Sequence, residues 1–142
     1  MIEKHIKVGF FNDFKGEDSI LISADIHGLL ELESIFLMLT VKGKSFLLNQ
    51  LETIDKNHKL PISLISGDID KGLRKVEDYY EWNLTPEKWD EFRKKTSALY
   101  NNGTIGHQYL DSDSLDIFDL QVVLSLNEYN MDFWSKFDNK KQ

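Results

Sequence analysis

Alternating apolar and polar side chains open the chain. Ile6, Val8 and Phe10 share one parity and Lys7, Gly9 and Phe11 the other, the two-residue period of a strand over 4–11. Residues 12–18 form a polar, turn-prone link, after which Ile20, Ile22 and Ala24 resume the alternation, so a hairpin is the economical connection. The period then becomes helical. Asp25 or His27 can cap the helix, and Leu29, Leu32, Ile35, Phe36 and Leu39 form its stripe, widened by Leu30, Leu37 and Met38. Glu31, Glu33 and Ser34 leave little polar face, which predicts a largely buried helix packed across a sheet, and Gly43 ends it.

Residues 44–60 carry Phe46, Leu47, Leu48, Leu51 and Ile54 without a clear period, as in a short strand or one turn of helix. Pro61 predicts a strand over 62–66, because proline suits a strand's first position, and 67–72 read as a turn. Over 73–84, Val76, Asp78, Tyr80, Trp82 and Leu84 oppose Glu77, Tyr79, Glu81 and Asn83, an amphipathic strand with one wet face. Thr85 and Pro86 then supply a cap and a first helical residue. Trp89, Phe92, Thr96 and Leu99 recur on the inward stripe of that helix, and Asn101-Asn102-Gly103 stops it before a returning strand over 105–111. In the last strand, over 118–126, Phe118, Leu120, Val122, Leu124 and Leu126 share one parity. Asp119, Gln121, Ser125 and Asn127 share the other with Val123. Met131, Phe133, Trp134 and Phe137 suit a short helix capping the core, and 139–142 are expected to fray.

This order predicts a single α+β domain over residues 1–142. It has a mainly antiparallel sheet of about five or six strands, two main helices packed on one face and a short C-terminal helix. If the parities hold, the second face of the sheet displays Glu77, Tyr79, Glu81, Asp119, Gln121, Ser125 and Asn127.

Charge then narrows the partners. The 142 residues carry a formal charge of −7, which disfavours direct binding to nucleic acid, whose surface demands Lys and Arg. Between Thr104 and Trp134 there is no Lys or Arg, whereas Asp111, Asp113, Asp116, Asp119, Glu128 and Asp132 supply six acids. Two readings of that segment stand: a solvated acidic edge, or a docking surface for a basic protein. The absence of cysteine removes disulfides, thiolate chemistry and Cys-based zinc sites. No apolar run approaches the roughly 20 residues needed to span a bilayer, so the reading is a cytoplasmic protein without a membrane partner.

Candidate chemistry is sparse. His5 and His58 have no partner one helical turn away and read as surface residues; His27 and His107, each beside a glycine at an element boundary, could face one another with Asp25 or Asp111 orienting an imidazole. The alternative to that pairing is two capping or half-buried hydrogen-bonding histidines. The run from Asp111 to Asp116 fails the calcium-loop template, having leucine where an oxygen ligand belongs and aspartate where glycine does, and Asp68 to Gly72 fails it too. No phosphate loop, dinucleotide fingerprint, nucleophile elbow or zinc-helix motif is present, so no cofactor or metal is implied and the balance is against an enzyme. Tyr79, Tyr80, Trp82, Trp89, Tyr100 and Tyr109 could line a groove, although aromatics at these spacings also suit a core.

The segments Trp82-Asn83-Leu84-Thr85-Pro86-Glu87-Lys88-Trp89 and Gly106-His107-Gln108-Tyr109-Leu110-Asp111 resemble those of a group of small bacterial proteins. The strand–helix–strand layout over 20–129 is similar to immunity proteins of polymorphic-toxin systems. That resemblance implies a cytoplasmic, non-enzymatic protein that neutralises a cognate toxin by covering an essential surface, and it transfers no catalytic residues. Joined to the charge, it makes the leading expectation an acidic protein-binding module for a basic partner such as a nuclease toxin. Glu77, Tyr79, Glu81, Asp111, Asp113, Asp116 and Asp119 are the contact residues expected. The alternative is a small ligand-binding protein or enzyme using His27 and His107 near a pocket; a structural subunit of a larger assembly is a third.

Overall fold

The computed structural model describes residues 3–14, 16–116 and 118–141, the last five by backbone alone. Eight strands and three α-helices follow one another: β1 (Ile6–Phe14), β2 (Glu17–Ala24), α1 (Ile26–Met38), β3 (Ser45–Leu47), β4 (Ile62–Ser66), β5 (Gly72–Val76), β6 (Tyr79–Leu84), α2 (Pro86–Asn101), β7 (Gly106–Tyr109), β8 (Gln121–Leu126) and α3 (Met131–Lys141). A single 3-10 turn, Leu48–Gln50, follows β3. The architecture is α+β, as the patterning predicts. The strands form two four-stranded sheets, ordered β1-β2-β8-β7 and β3-β4-β6-β5, rather than one. Each has a parallel central pair, β2 with β8 and β4 with β6, flanked by antiparallel edges. Short turns do give antiparallel neighbours, as in β1–β2 and β5–β6; the parallel pairs join strands separated by long connections, which local pattern cannot specify.

The strand expected over 73–84 is a hairpin. Glu77 adopts φ 58° at the turn between β5 and β6, a position that two-residue hairpin loops usually give to glycine or asparagine. A glutamate there sends no turn signal, which is why alternation ran through it. The last strand begins at Gln121 rather than 118, so Phe118, expected in the core, lies 71% exposed on the loop before it.

Local chemistry sets the helix ends. Asp25 is the cap of α1, its Oδ1 accepting from the Gly28 amide at 2.9 Å. Thr85 caps α2 through the Lys88 amide at 3.3 Å, with Pro86 as the first helical residue. The two helices pack together and contribute to the main core shared by both sheets. At its centre Trp89 meets Trp82 edge-on at 5.1 Å and stacks on Phe36 at 5.5 Å, while its indole N–H donates to the Ile65 carbonyl at 3.0 Å.

A smaller cluster of Leu21, Val123 and Trp134 occupies the other face of the first sheet, beneath α3. β2 and β8 are therefore covered on both sides, which explains why Ile20, Leu21, Ile22 and Val122, Val123, Leu124 are all buried. Ser125, expected on a wet face, is buried with them. The expected fraying over 139–142 concerns residues with no described side chain, Gln142 lying outside the described residues, and the Phe137 side chain assigned to the core lies outside them as well.

Gly28 sits where α1 crosses the start of β1. A Cβ there would lie 2.6 Å from the His5 carbonyl oxygen and 2.8 Å from Ile6 Cγ1, so Gly28→Ala should destabilise the protein by about 1–3 kcal/mol despite alanine's better helix propensity. A lower urea midpoint with unchanged slope is the expected result; an unchanged midpoint would mean that α1 can shift away from β1.

Candidate functional site

The loop 110–120 leaves the first sheet after β7 and crosses to the edge of the second before returning as β8. Leu73 on the edge strand β5 takes up both ends of this excursion: its amide donates to Asp119 Oδ1 at 2.9 Å, and its carbonyl accepts from the Leu120 amide at 2.7 Å. Ser112 Oγ donates to the other oxygen of Asp119 at 2.6 Å. Short polar side chains wind the rest of the loop on itself. The Ser114 amide donates to Ser112 Oγ at 3.2 Å, that of Asp116 to Ser114 Oγ at 3.1 Å, and that of Phe118 to Asp116 Oδ1 at 2.9 Å. The Asp113 amide donates to Asp70 Oδ2 at 2.7 Å, tying the loop to the turn before β5.

The acids of this loop differ in what they hold. Asp113 pairs with Lys88 Nζ at 3.2 Å, and Asp116 with Arg74 at 3.5 Å. Burial opposes the charge on Lys88, but Asp113 and Glu91 outweigh it and raise its pKa above the ordinary lysine value. Asp111 is exposed and has no ion pair among the described residues. Asp119 is the perturbed group: burial, with help from the charges of Asp70 and Asp111, holds its carboxyl above the usual range although Ser112 and Leu73 hydrogen-bond to it.

Beside Asp119 a cleft of about 600 Å³ opens between the β1–β2 hairpin and β5–β6. Phe10, Tyr80 and Leu120 give it an apolar wall, and Glu17, Asp18 and Lys75 bring charge to it. A second recess of about 400 Å³ shares Glu17, Asp119 and Leu120 and adds Asp111 and Asp116. Phe118, 71% exposed, lines the first of these, and Leu115, in the same loop, is 98% exposed.

Asp111, Asp113, Asp116 and Asp119 are thus brought together, joined by Asp70, Glu17 and Asp18, which pattern reading left in turns. The Glu17-Asp18 pair was the available signal. Glu77 stands at the β5–β6 turn instead of on a strand face. Tyr79 and Glu81 lie on β6, Glu81 in register with Arg74 on β5 and Ser63 on β4, so they border the loop through Arg74.

The histidines are engaged separately. His5 Nδ1 bonds Asp25 Oδ2 at 2.7 Å, and the His5 ring packs on His27 at 5.0 Å. His107 Nδ1 instead meets Glu128 Oε2 at 3.0 Å, while Ser125 Oγ donates to Glu128 Oε1 at 2.7 Å. His27 and His107 therefore have different partners. His5, read from pattern as a surface residue, is the one that joins Asp25, and His58 is buried rather than exposed. Both depend on contacts distant in sequence. Among the described residues no group of three or more His, Asp or Glu side chains is disposed to hold a metal ion, and no helix is long and apolar enough to cross a membrane.

Asp119→Asn keeps an oxygen for Leu73 and gives an amide to Ser112, while removing the charge. Because the folded carboxyl titrates above its unfolded value of 3.8, its ionisation costs the native state increasingly as pH rises through the folded pKa. The variant should be more stable than wild type near pH 7 and lose that advantage below the unfolded value; equal stability at both pH values would show the carboxyl to be unstrained. His5 gives the opposite test. Its hydrogen bond to Asp25 raises its pKa above 6.5, against burial, so its contribution is complete below 6.5 and disappears as pH rises through the folded value. Asp25→Asn retains a good helix cap and should flatten that part of the stability–pH profile; a profile as steep as wild type would reject the pairing.

No family model matches this chain, and no curated protein or solved structure matches it either.

Proposed function

We propose that this protein is an acidic protein-binding module that captures a basic protein partner, and that the captured partner is a toxin whose working surface it covers. The observation that carries the reading is the loop after β7, where the exposed side chains of Leu115 and Phe118 alternate along the chain with the carboxylates of Asp111, Asp113, Asp116 and Asp119, and Phe118 shares a cleft with Asp119, Glu17 and Asp18. An exposed aromatic anchor inside a charged rim is the usual anatomy of a protein interface, with the apolar centre supplying affinity and the rim supplying steering and selectivity. The loop is held by its own hydrogen bonds before any partner arrives, so little ordering entropy opposes binding. The resemblance to immunity proteins adds the toxin, and a nuclease, whose active surface must carry cations to meet phosphate, fits the charge.

The ion pairs revise which acids do the steering. Asp113 and Asp116 are already partly neutralised by Lys88 and Arg74, so Asp111, Glu17, Asp18 and Asp119 dominate the field a partner meets. Reversing Asp113 or Asp116 would break internal contacts as well.

Phe118→Ala combined with Asp111→Lys is therefore the cleaner variant, since both side chains are exposed. Wild-type protein used as bait in a lysate of its own cells should recover one basic protein in stoichiometric amount, released as salt rises, and adding the bait should extinguish that protein's activity. The double variant should lose at least about tenfold in affinity with an unchanged melting temperature. Undiminished capture by the variant, or an uninhibited partner, would reject the reading.

A further inference from the structure

The fastening of Leu73 leaves part of the same strand edge unused. In an antiparallel pair, successive residues alternate between turning both backbone groups toward the neighbouring strand and turning both away from it. Val76 and Tyr79 flank the two-residue turn between β5 and β6, and Arg74 lies in register with Glu81, so these residues face inward while Leu73 and Lys75 face outward. The outward groups of Leu73 are taken by Asp119 and Leu120. Those of Lys75, two residues further on, have no hydrogen-bond partner among the described residues. Its side chain reaches over the sheet, with Nζ 6.0 Å from the centre of the Tyr80 ring directly across the pair. Lys75, Asp119 and Leu120 all line the cleft of about 600 Å³, so the unused stretch of edge borders that cleft.

We propose that Lys75 pairs with an extended segment of the captured partner, which joins the second sheet as an added strand and carries basic and apolar residues in alternation. The proposal rests on the reading of the protein as a module for a basic partner, and it names the element of that partner that is gripped. The chain itself shows what this edge accepts. At Leu73 a backbone amide from Leu120 fills the carbonyl, and the Asp119 carboxylate takes the place of a strand carbonyl at the amide. A segment continuing along the edge meets one more donor and one more acceptor at backbone spacing, the pattern that strand addition uses. Its side chains would alternate between two faces. Those on the face shared by Lys75 and Tyr80 meet the apolar wall of Phe10, Tyr80 and Leu120. Glu17, Asp18 and Asp119 outnumber Lys75 along the same lining, which favours a basic segment and repels an acidic one.

The contact is short. Glu77 leaves the strand at φ 58°, so Lys75 provides the last outward pair on β5 and a peptide alone binds weakly. The backbone pairing can nevertheless be read by itself. Proline is tolerated on an edge strand where its missing N–H points away from the neighbouring strand, so Lys75→Pro deletes the outward donor and leaves the β5–β6 bonds in place. Lys75→Ala removes the same side chain and keeps the donor. The difference between the two variants therefore isolates the backbone.

The probe is a capped pentapeptide alternating arginine and valine, titrated to about 1 mM into the purified protein at low salt. Hydrogen exchange at the Lys75 amide should slow at least about tenfold when the peptide binds, while Arg74 and Val76, already in the ladder, keep their rates. Lys75→Pro should bind the peptide about tenfold more weakly than Lys75→Ala. Glu17→Lys, at an exposed position in the cleft lining, should weaken binding with an unchanged melting temperature, and a peptide alternating glutamate and valine should not bind. No binding at 1 mM, an unslowed Lys75 amide under bound peptide, or equal affinity of the two Lys75 variants would overturn the inference. Should Lys75→Pro lose the wild-type circular dichroism, exchange in the wild-type protein decides alone. The two Lys75 variants then serve as baits in lysate. A basic partner recovered equally by both would overturn the strand pairing and leave capture standing, whereas peptide pairing at Lys75 with no basic partner recovered would overturn capture and leave the edge as a peptide site.

Discussion

The outward-facing backbone of Leu73 is the constraint on which the candidate functional surface depends. An edge strand leaves amides and carbonyls unpaired, and burying them without partners costs free energy comparable to a lost hydrogen bond each. Here the amide goes to Asp119 and the carbonyl to Leu120, so the edge of the second sheet is closed by a loop belonging to the first. That closure joins the sheets, anchors both ends of the loop between β7 and β8 and leaves the cleft beside β5. Gly72 follows from it too: it adopts φ +73°, and a Cβ would fall 2.2 Å from Asp119 Oδ1.

The parts of the fold governed by local rules were legible. Thr85-Pro86 and Asp25 announced two helices, and the stripes through Leu29, Leu32 and Phe36 and through Trp89, Phe92 and Leu99 picked out the buried faces. The division into two sheets was not legible, because it rests on pairings such as Ile20 with Val122 that no short-range pattern encodes. Glu77 hid a hairpin by adopting a positive φ that a glutamate does not advertise. His5 and Asp25 meet across twenty positions, and only the fold brings them together. The acids of the loop were recognisable as a cluster, whereas the cations that neutralise two of them, Lys88 and Arg74, came from other elements.

Helix α1 shows a different limit of pattern reading. Its near-continuous apolar character predicts a largely buried helix, but a pattern along one segment does not show how much cover the rest of the chain provides. The structure supplies it on one side only. Among the described residues, two exposed surfaces differ in character: a charged loop with aromatic and aliphatic tips, and a neutral helix stripe.

Asp119 sets the stability of the loop against its electrostatics. Both of its oxygens hold the loop in place, one through Leu73 and the other through Ser112, so its charge cannot simply be moved to the surface. Asp70 and Asp111 stand close enough to oppose that charge, and burial opposes it further. The native state therefore keeps a carboxylate where it is electrostatically unfavourable, an arrangement more often found at sites that bind or react than in passive scaffold. A cation placed in the cleft by a partner would relieve all three acids together. Part of the binding energy would then come from removing repulsion already present in the free protein, in addition to the contacts newly made. By linkage, such a partner would lower the pKa of Asp119 while bound, coupling capture to the release of a proton wherever that carboxyl is partly protonated.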